Sequence, residues 1–139
     1  MSRFVLDASA LLALLNDEPG ADRVEELLSE SIMSTLNLAE AAGRLAAAGM
    51  PGAQIREVLA MLGLKLAPFT EEHALVAGLL HPRVQAWRLS LGDRACIALA
   101  QILGVPAVTA DRVWGKVDIG VEVILIRDAG PETQSSKSP

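Results

Sequence analysis

The sequence predicts one α/β domain: a mainly parallel central sheet of four to five short strands, with helices on both faces. The chain has 139 residues, which suits one hydrophobic core. Hydrophobic residues make up 51% but aromatics only 3%, so the core must be built from Ala, Leu, Val and Ile. Short apolar runs of strand length alternate with longer helical segments, as in strands joined by helical crossovers.

Residues 3–6 read as a first strand and 9–16 as a helix stopped by Glu18-Pro19-Gly20. Residues 21–29 form a second helix and 32–34 a minimal strand. Thr35 can cap a helix over 36–48, which ends at Gly49-Met50-Pro51-Gly52. Residues 53–62 read as a helix, 64–67 as a strand, and 71–80 as a helix behind a Thr70 cap. Segment 81–91 has no regular pattern. A nearly all-apolar helix starts at Gly92 or Asp93 and ends at Gly104, and 107–109 and 121–126 are the last strands. Residues 128–139 are polar and contain Pro, Gly and Ser, the composition of a disordered tail, which leaves 1–127 as the folded domain.

The totals exclude several classes. A single Cys96 cannot make an internal disulfide, and Asp7 interrupts the only apolar run near the N-terminus, so no secretory leader is expected. No stretch approaches the ~20 apolar residues of a spanning helix. The expectation is a cytoplasmic protein with no membrane partner. Twelve Lys and Arg against 17 Asp and Glu give a net charge of −5. That argues against broad electrostatic binding to nucleic acid. A phosphate substrate stays open, because divalent ions at a carboxylate cluster reverse the local sign.

Four acids carry the chemistry: Asp7 in FVLDASALL, Glu40 in STLNLAEAAGRL, Asp93 in LSLGDRACIALA and Asp111 in AVTADRVW. In a parallel sheet the strand C-termini share one edge with the helix N-termini that follow, and Asp7 and Asp111 belong to that edge. Taken singly, Asp7 and Asp111 read as helix caps and Asp93 as an acid favouring the positive end of its helix. Glu40 is interior to its helix. It has Asn37 three residues before it and Arg44 four after, so its plain reading is an exposed Glu–Arg pair. The alanines around it predict instead a partly buried face, where a carboxylate needs a partner.

Gathered in one pocket, the four acids would raise one another's pKa values and destabilise the fold unless a cation compensated them. Oxygen-only ligands suit Mg²⁺ or Mn²⁺, and such sites commonly work on phosphate esters. The chemistry suggested is metal-assisted phosphodiester hydrolysis, with no side-chain nucleophile required. Ser9 and Thr109, each two residues from an acid, are candidates to position water or a phosphate oxygen, or else a plain helix-start hydroxyl and a strand end.

Together the segments FVLDASALLALL, LNLAEA, LSLGDRACIALA and VTADRVW resemble a PIN-domain ribonuclease, in particular a VapC-type toxin of a toxin–antitoxin pair, over residues 3 to about 127. The resemblance implies a parallel sheet flanked by helices and a Mg²⁺- or Mn²⁺-dependent endoribonuclease that forms a homodimer and is inhibited by a cognate antitoxin. By motif it implies Asp7, Glu40, Asp93 and Asp111 as the catalytic metal ligands, with Asp118 as a further acidic position. Trp87 and Arg88 lie in the irregular segment expected to shape the choice of RNA.

Arg88, Arg94 and Arg112 lie near these elements in sequence and are candidate RNA contacts, or solvated surface charges. Trp87 and Trp114 could stack on bases, though packing explains them too. His73 and His81 have no ligand-pair spacing, and Cys96 reads as core. The principal alternative is a catalytically silent RNA- or protein-binding module of the same fold. A phospho-acceptor receiver domain is disfavoured because Pro68-Phe69, with no Asp, follows its third strand. Four independent caps in a structural protein would leave Glu40 unexplained.

Overall fold

A computed structural model of the chain describes residues 2–127, so the tail expected at 128–139 lies outside the described residues. Five strands form one sheet: β1 (Phe4–Leu6), β2 (Ser31–Ser34), β3 (Lys65–Ala67), β4 (Ala107–Thr109) and β5 (Val123–Leu125). Their order is β3-β2-β1-β4-β5 and every neighbouring pair is parallel. Strand order therefore reverses at β1: β2 and β3 build outward on one side, β4 and β5 on the other.

Seven helices join the strands: α1 (Ala8–Leu15), α2 (Ala21–Leu27), α3 (Thr35–Ala47), α4 (Gly52–Leu62), α5 (Glu71–Leu79), α6 (His81–Val84) and α7 (Leu91–Leu103). Side-chain alternation along the strands divides the core between the two faces of the sheet. On β1, Leu6 joins a cluster with Leu11, Val24, Met33 and Leu45, whereas Val5 joins one with Ile97, Leu99 and Trp114. Central strands buried on both faces need continuous apolar runs, and FVL and AVT supply them. The edge strand β3 exposes Lys65 and Leu66.

Three local expectations are corrected. Ser34, not Thr35, caps α3 by accepting a bond from the Leu36 amide, while the Thr35 hydroxyl accepts one from Phe69 N across the sheet edge. Segment 81–91 is not wholly irregular: it holds α6, with Pro82 in its first turn, and a 3₁₀ turn over Gln85–Trp87. The last strand is shorter than 121–126. Among the described residues no helix is long and apolar enough to cross a membrane.

Candidate metal centre

Asp7, Glu40, Asp93 and Asp111 all line one cavity of about 250 Å³. Each arrives on a different element: Asp7 directly after β1, Asp111 two residues after β4, Glu40 in the second turn of α3 and Asp93 in the first turn of α7. β1 and β4 are the neighbours between which the strand order reverses. In open α/β sheets the crevice outside the strand C-termini at that point is where ligands bind.

Asp7 is only 4% exposed and its carboxylate is fully held. One oxygen accepts from Ser9 Oγ at 2.7 Å and from Ala10 N at 2.8 Å; the other accepts from Thr109 Oγ1 at 2.5 Å. The cap reading of Asp7 is therefore correct, and the cap coexists with a place in the acid cluster. Ser9 Oγ also accepts from Ala110 N at 2.9 Å, and Thr109 Oγ1 from Asp111 N at 3.0 Å. Both hydroxyls bond Asp7 and so orient its carboxylate, and Ser9 also lines the cavity. Thr109 is fully buried beneath the cavity.

Glu40 departs from expectation. It is exposed rather than partly buried, because Ala39, Gly43, Ala46 and Ala47 of α3 also face solvent. Its carboxylate is nevertheless fixed. Asn37 Nδ2 donates to Glu40 Oε1 at 3.0 Å and to the Gly92 carbonyl at 2.9 Å, bridging α3 to the start of α7. A β-carbon on Gly92 would overlap the Glu40 carboxyl group, so the glycine lets Glu40 lie against α7. Among the described residues no Glu40–Arg44 ion pair forms, which removes the plain reading of this acid. Asn37 is 1% exposed, and neither it nor Gly92 was singled out from sequence as a site residue. The signal available was an amide three residues before the acid, on the same helix face.

Asp93 completes a capping box: Asp93 N donates to Ser90 Oγ at 3.1 Å and Ser90 N to Asp93 Oδ2 at 2.8 Å. Asp111 Oδ1 accepts from Val113 N at 3.0 Å, capping the 3₁₀ turn Arg112–Lys116. The three aspartates thus each accept a local backbone N–H, Glu40 accepts from Asn37, and all four line the cavity.

Burial pushes the Asp7 carboxyl up to about 6; hydrogen bonds from Thr109, Ala10 and Ser9 oppose the shift, and the Asp93 charge adds to it. Asp93 is raised as well, first by burial, against the Ser90 bonds and with the Asp111 charge adding. Beneath them the buried Cys96 thiol is driven well above its usual value by burial, then by the charges of Asp7, Asp93 and Glu40. Such a thiol is inert core, as expected.

The donor set fits a hard divalent cation: four carboxylates, no sulfur or nitrogen donor, and mutual repulsion that a cation would relieve. Among the described residues no three acids stand as a ligand group that could hold an ion between them. Mg²⁺ does not need one, since it keeps several waters and binds through one or two carboxylates.

Other candidates are not brought to this cavity. Asp118 is exposed and accepts from Gly120 N, while its carbonyl accepts from Arg83. Arg94 turns away from the acids and donates to the Ala77 carbonyl of α5 at 3.1 Å. Arg88 caps the Gln85–Trp87 turn with φ 59°, and neither it nor Arg112 lines the cavity. Trp114 is fully buried, which rules out base stacking there, whereas Trp87 is 43% exposed. His73 packs edge-on against Phe69, and His81 is exposed at the start of α6.

Residues 4–120 match the family described as PIN domain. Comparison with curated proteins gave no match. Among solved structures, DNA-bound VapBC from Salmonella typhimurium aligns with TM-score 0.71 at 17% identity, covering 91% of this chain and 99% of that one. A toxin–antitoxin complex from Klebsiella pneumoniae aligns with TM-score 0.68 at 16% identity, covering 89% and 98%. VapBC-5 from Mycobacterium tuberculosis, of the VapBC family of toxin–antitoxin systems, aligns with TM-score 0.55 at 21% identity, covering 92% and 100%. At these identities the structures show a shared fold. With the family match spanning most of its length, the chain belongs to the PIN-domain family.

Proposed function

We propose that this protein is a Mg²⁺- or Mn²⁺-dependent endoribonuclease, the toxin of a toxin–antitoxin pair. The observation that carries the reading is the convergence of four acids from four elements on one cavity, with Asp7 buried among them. Asp7, Glu40, Asp93 and Asp111 would hold the ion, which when bound would lower the pKa of water and neutralise charge on the phosphoryl oxygens. The chain's own part is positioning. Ser9, Ala10 and Thr109 lock Asp7, Asn37 locks Glu40, and Ser90 locks Asp93. Ser9 is no free nucleophile, because its hydroxyl donates to Asp7 and accepts from Ala110 N. Water therefore adds to phosphorus, one P–O ester bond breaks, and the departing oxygen takes up a proton.

The toxin assignment is supported by neighbours in fold that are VapBC and toxin–antitoxin complexes. A homodimer would give a partner to the exposed Leu75 and Leu79, one helical turn apart on α5, and to Leu91 at the start of α7. An antitoxin would relieve growth arrest by covering the acid cavity.

The test is incubation of pure protein with structured RNAs, with and without Mg²⁺ or Mn²⁺, beside Asp7→Asn and Asp93→Asn. Metal-dependent cleavage lost in both variants is expected. RNA binding without cleavage, indifferent to either substitution, would favour the silent binding module and sink the nuclease.

A further inference from the structure

A second cavity, of about 350 Å³, adjoins the acid cavity and shares Ser9, Leu12 and Arg44 with it. Its far wall holds Glu18 and Arg127. Among the described residues Arg44 is the one basic residue lining the acid cavity. It stands one helical turn beyond Glu40, where a Glu–Arg pair would ordinarily absorb its charge. That pairing does not occur, since Asn37 holds the Glu40 carboxyl against Gly92.

The Arg44 guanidinium therefore has no hydrogen bond or ion pair among the described residues. Other arginines are committed: Arg94 to the Ala77 carbonyl, Arg83 to the Asp118 carbonyl and Arg3 to Glu30. Arg127 donates to the Pro19 carbonyl at 2.9 Å and pairs with Glu18 at 3.5 Å, so its charge is partly neutralised.

We propose that Arg44, at the junction of the two cavities, anchors a phosphate of the RNA strand adjacent to the one that is cut, with the second cavity receiving the strand as it leaves. The inference rests on the nuclease reading. Four carboxylates repel a polyanion wherever cations do not shield them, so a strand crossing this surface needs a fixed cation beside the acids. A guanidinium suits phosphate because its planar fork can bond two oxygens at once. Glu18 makes the far wall the weaker half of the subsite, and Arg127 contributes less than Arg44.

The test is steady-state cleavage of a single-stranded RNA oligonucleotide by the full chain with Mn²⁺, at several salt concentrations, for wild type, Arg44→Gln, Arg44→Lys and Arg56→Gln. Glutamine preserves helix propensity at this exposed position, so the fold should persist. Arg44→Gln is expected to raise KM about three- to tenfold with kcat within about twofold, and to flatten the salt slope of log KM by about 0.7, one phosphate contact on a single strand. Arg44→Lys should recover part of both effects, and the exposed, remote Arg56→Gln neither. If wild type cleaves but Arg44→Gln leaves KM and salt slope unchanged, the subsite is wrong and the nuclease reading stands. If wild type cleaves no RNA with any divalent ion, both fall.

Discussion

The Glu40 carboxyl group occupies the space that a β-carbon on residue 92 would need. Gly92→Ala should therefore separate stability from activity. The helical backbone accepts Ala, which favours a helix over Gly by roughly 0.5–1 kcal/mol, and the displaced atoms are the far end of a flexible side chain. Unfolding free energy is expected to stay within about 1 kcal/mol of wild type, while RNA cleavage drops at least tenfold by loss of a placed group. Equal losses in both would refute this account of the glycine.

Asn37→Ala removes the bridge from α3 to α7. The Gly92 carbonyl loses a buried donor, and Glu40 becomes free to swing toward Arg44. Denaturant unfolding should show a loss of about 1–3 kcal/mol, the usual cost of orphaning a buried polar group. Mn²⁺ affinity, followed by calorimetry, should fall as well. An unchanged Mn²⁺ affinity would mean that Asn37 serves the fold alone.

The raised Asp7 carboxyl makes a signed claim about pH. A carboxyl whose folded pKa is about 6, above the ordinary 3.8, binds its proton more tightly in the folded state. Its stabilising contribution is fully present below 3.8 and is lost as pH rises through about 6, on the order of 3 kcal/mol in all. Asp93 shifts in the same direction. Metal-free protein should thus gain stability as pH is lowered from 7 to 5, with Mg²⁺ or Mn²⁺ offsetting the deficit at pH 7. Chemical denaturation at a series of pH values checks this; a flat or opposite trend in the metal-free protein would refute it.

Thr109→Val keeps the shape and deletes the hydroxyl that bonds Asp7 at 2.5 Å. That bond lowers the Asp7 pKa, so its loss should raise it further. In a pH–rate profile the acid limb should move to higher pH. Ser9→Ala should move it the same way by less, since Ala10 N still bonds the same oxygen.

Most of this architecture was legible because the chain is locally consistent. The apolar triplet 4–6 lies between Arg3 and Asp7, 107–109 follows Pro106, and Gly49, Gly63 and Gly104 mark helix ends. Strand order was not legible, since pairing is decided by packing across the sheet rather than by any one segment. For the site, Asp7 and Asp111 read as caps and proved to be caps, while Asp93, read as an acid at the positive end of its helix, is the capping-box partner of Ser90. Only the fold could show that all three open on the same cavity. Glu40 was picked out for burial it does not have. What holds it is Asn37 and the missing side chain of Gly92, a contact spanning 55 residues that no local pattern encodes. Arg94 was proposed from closeness in sequence, yet a helix turns neighbouring side chains to different faces, and Arg94 points to α5.

Thr109 stands 102 residues from the aspartate it holds. The Asp7 carboxylate is fully held only when β4 is paired with β1. A chain ending just before β4 would carry Asp7, Glu40 and Asp93 but neither Asp111 nor the Thr109 hydroxyl that orients Asp7. The acid cluster is therefore assembled together with the sheet: opening the β1–β4 pairing would free the Asp7 carboxylate and displace Asp111 in one event.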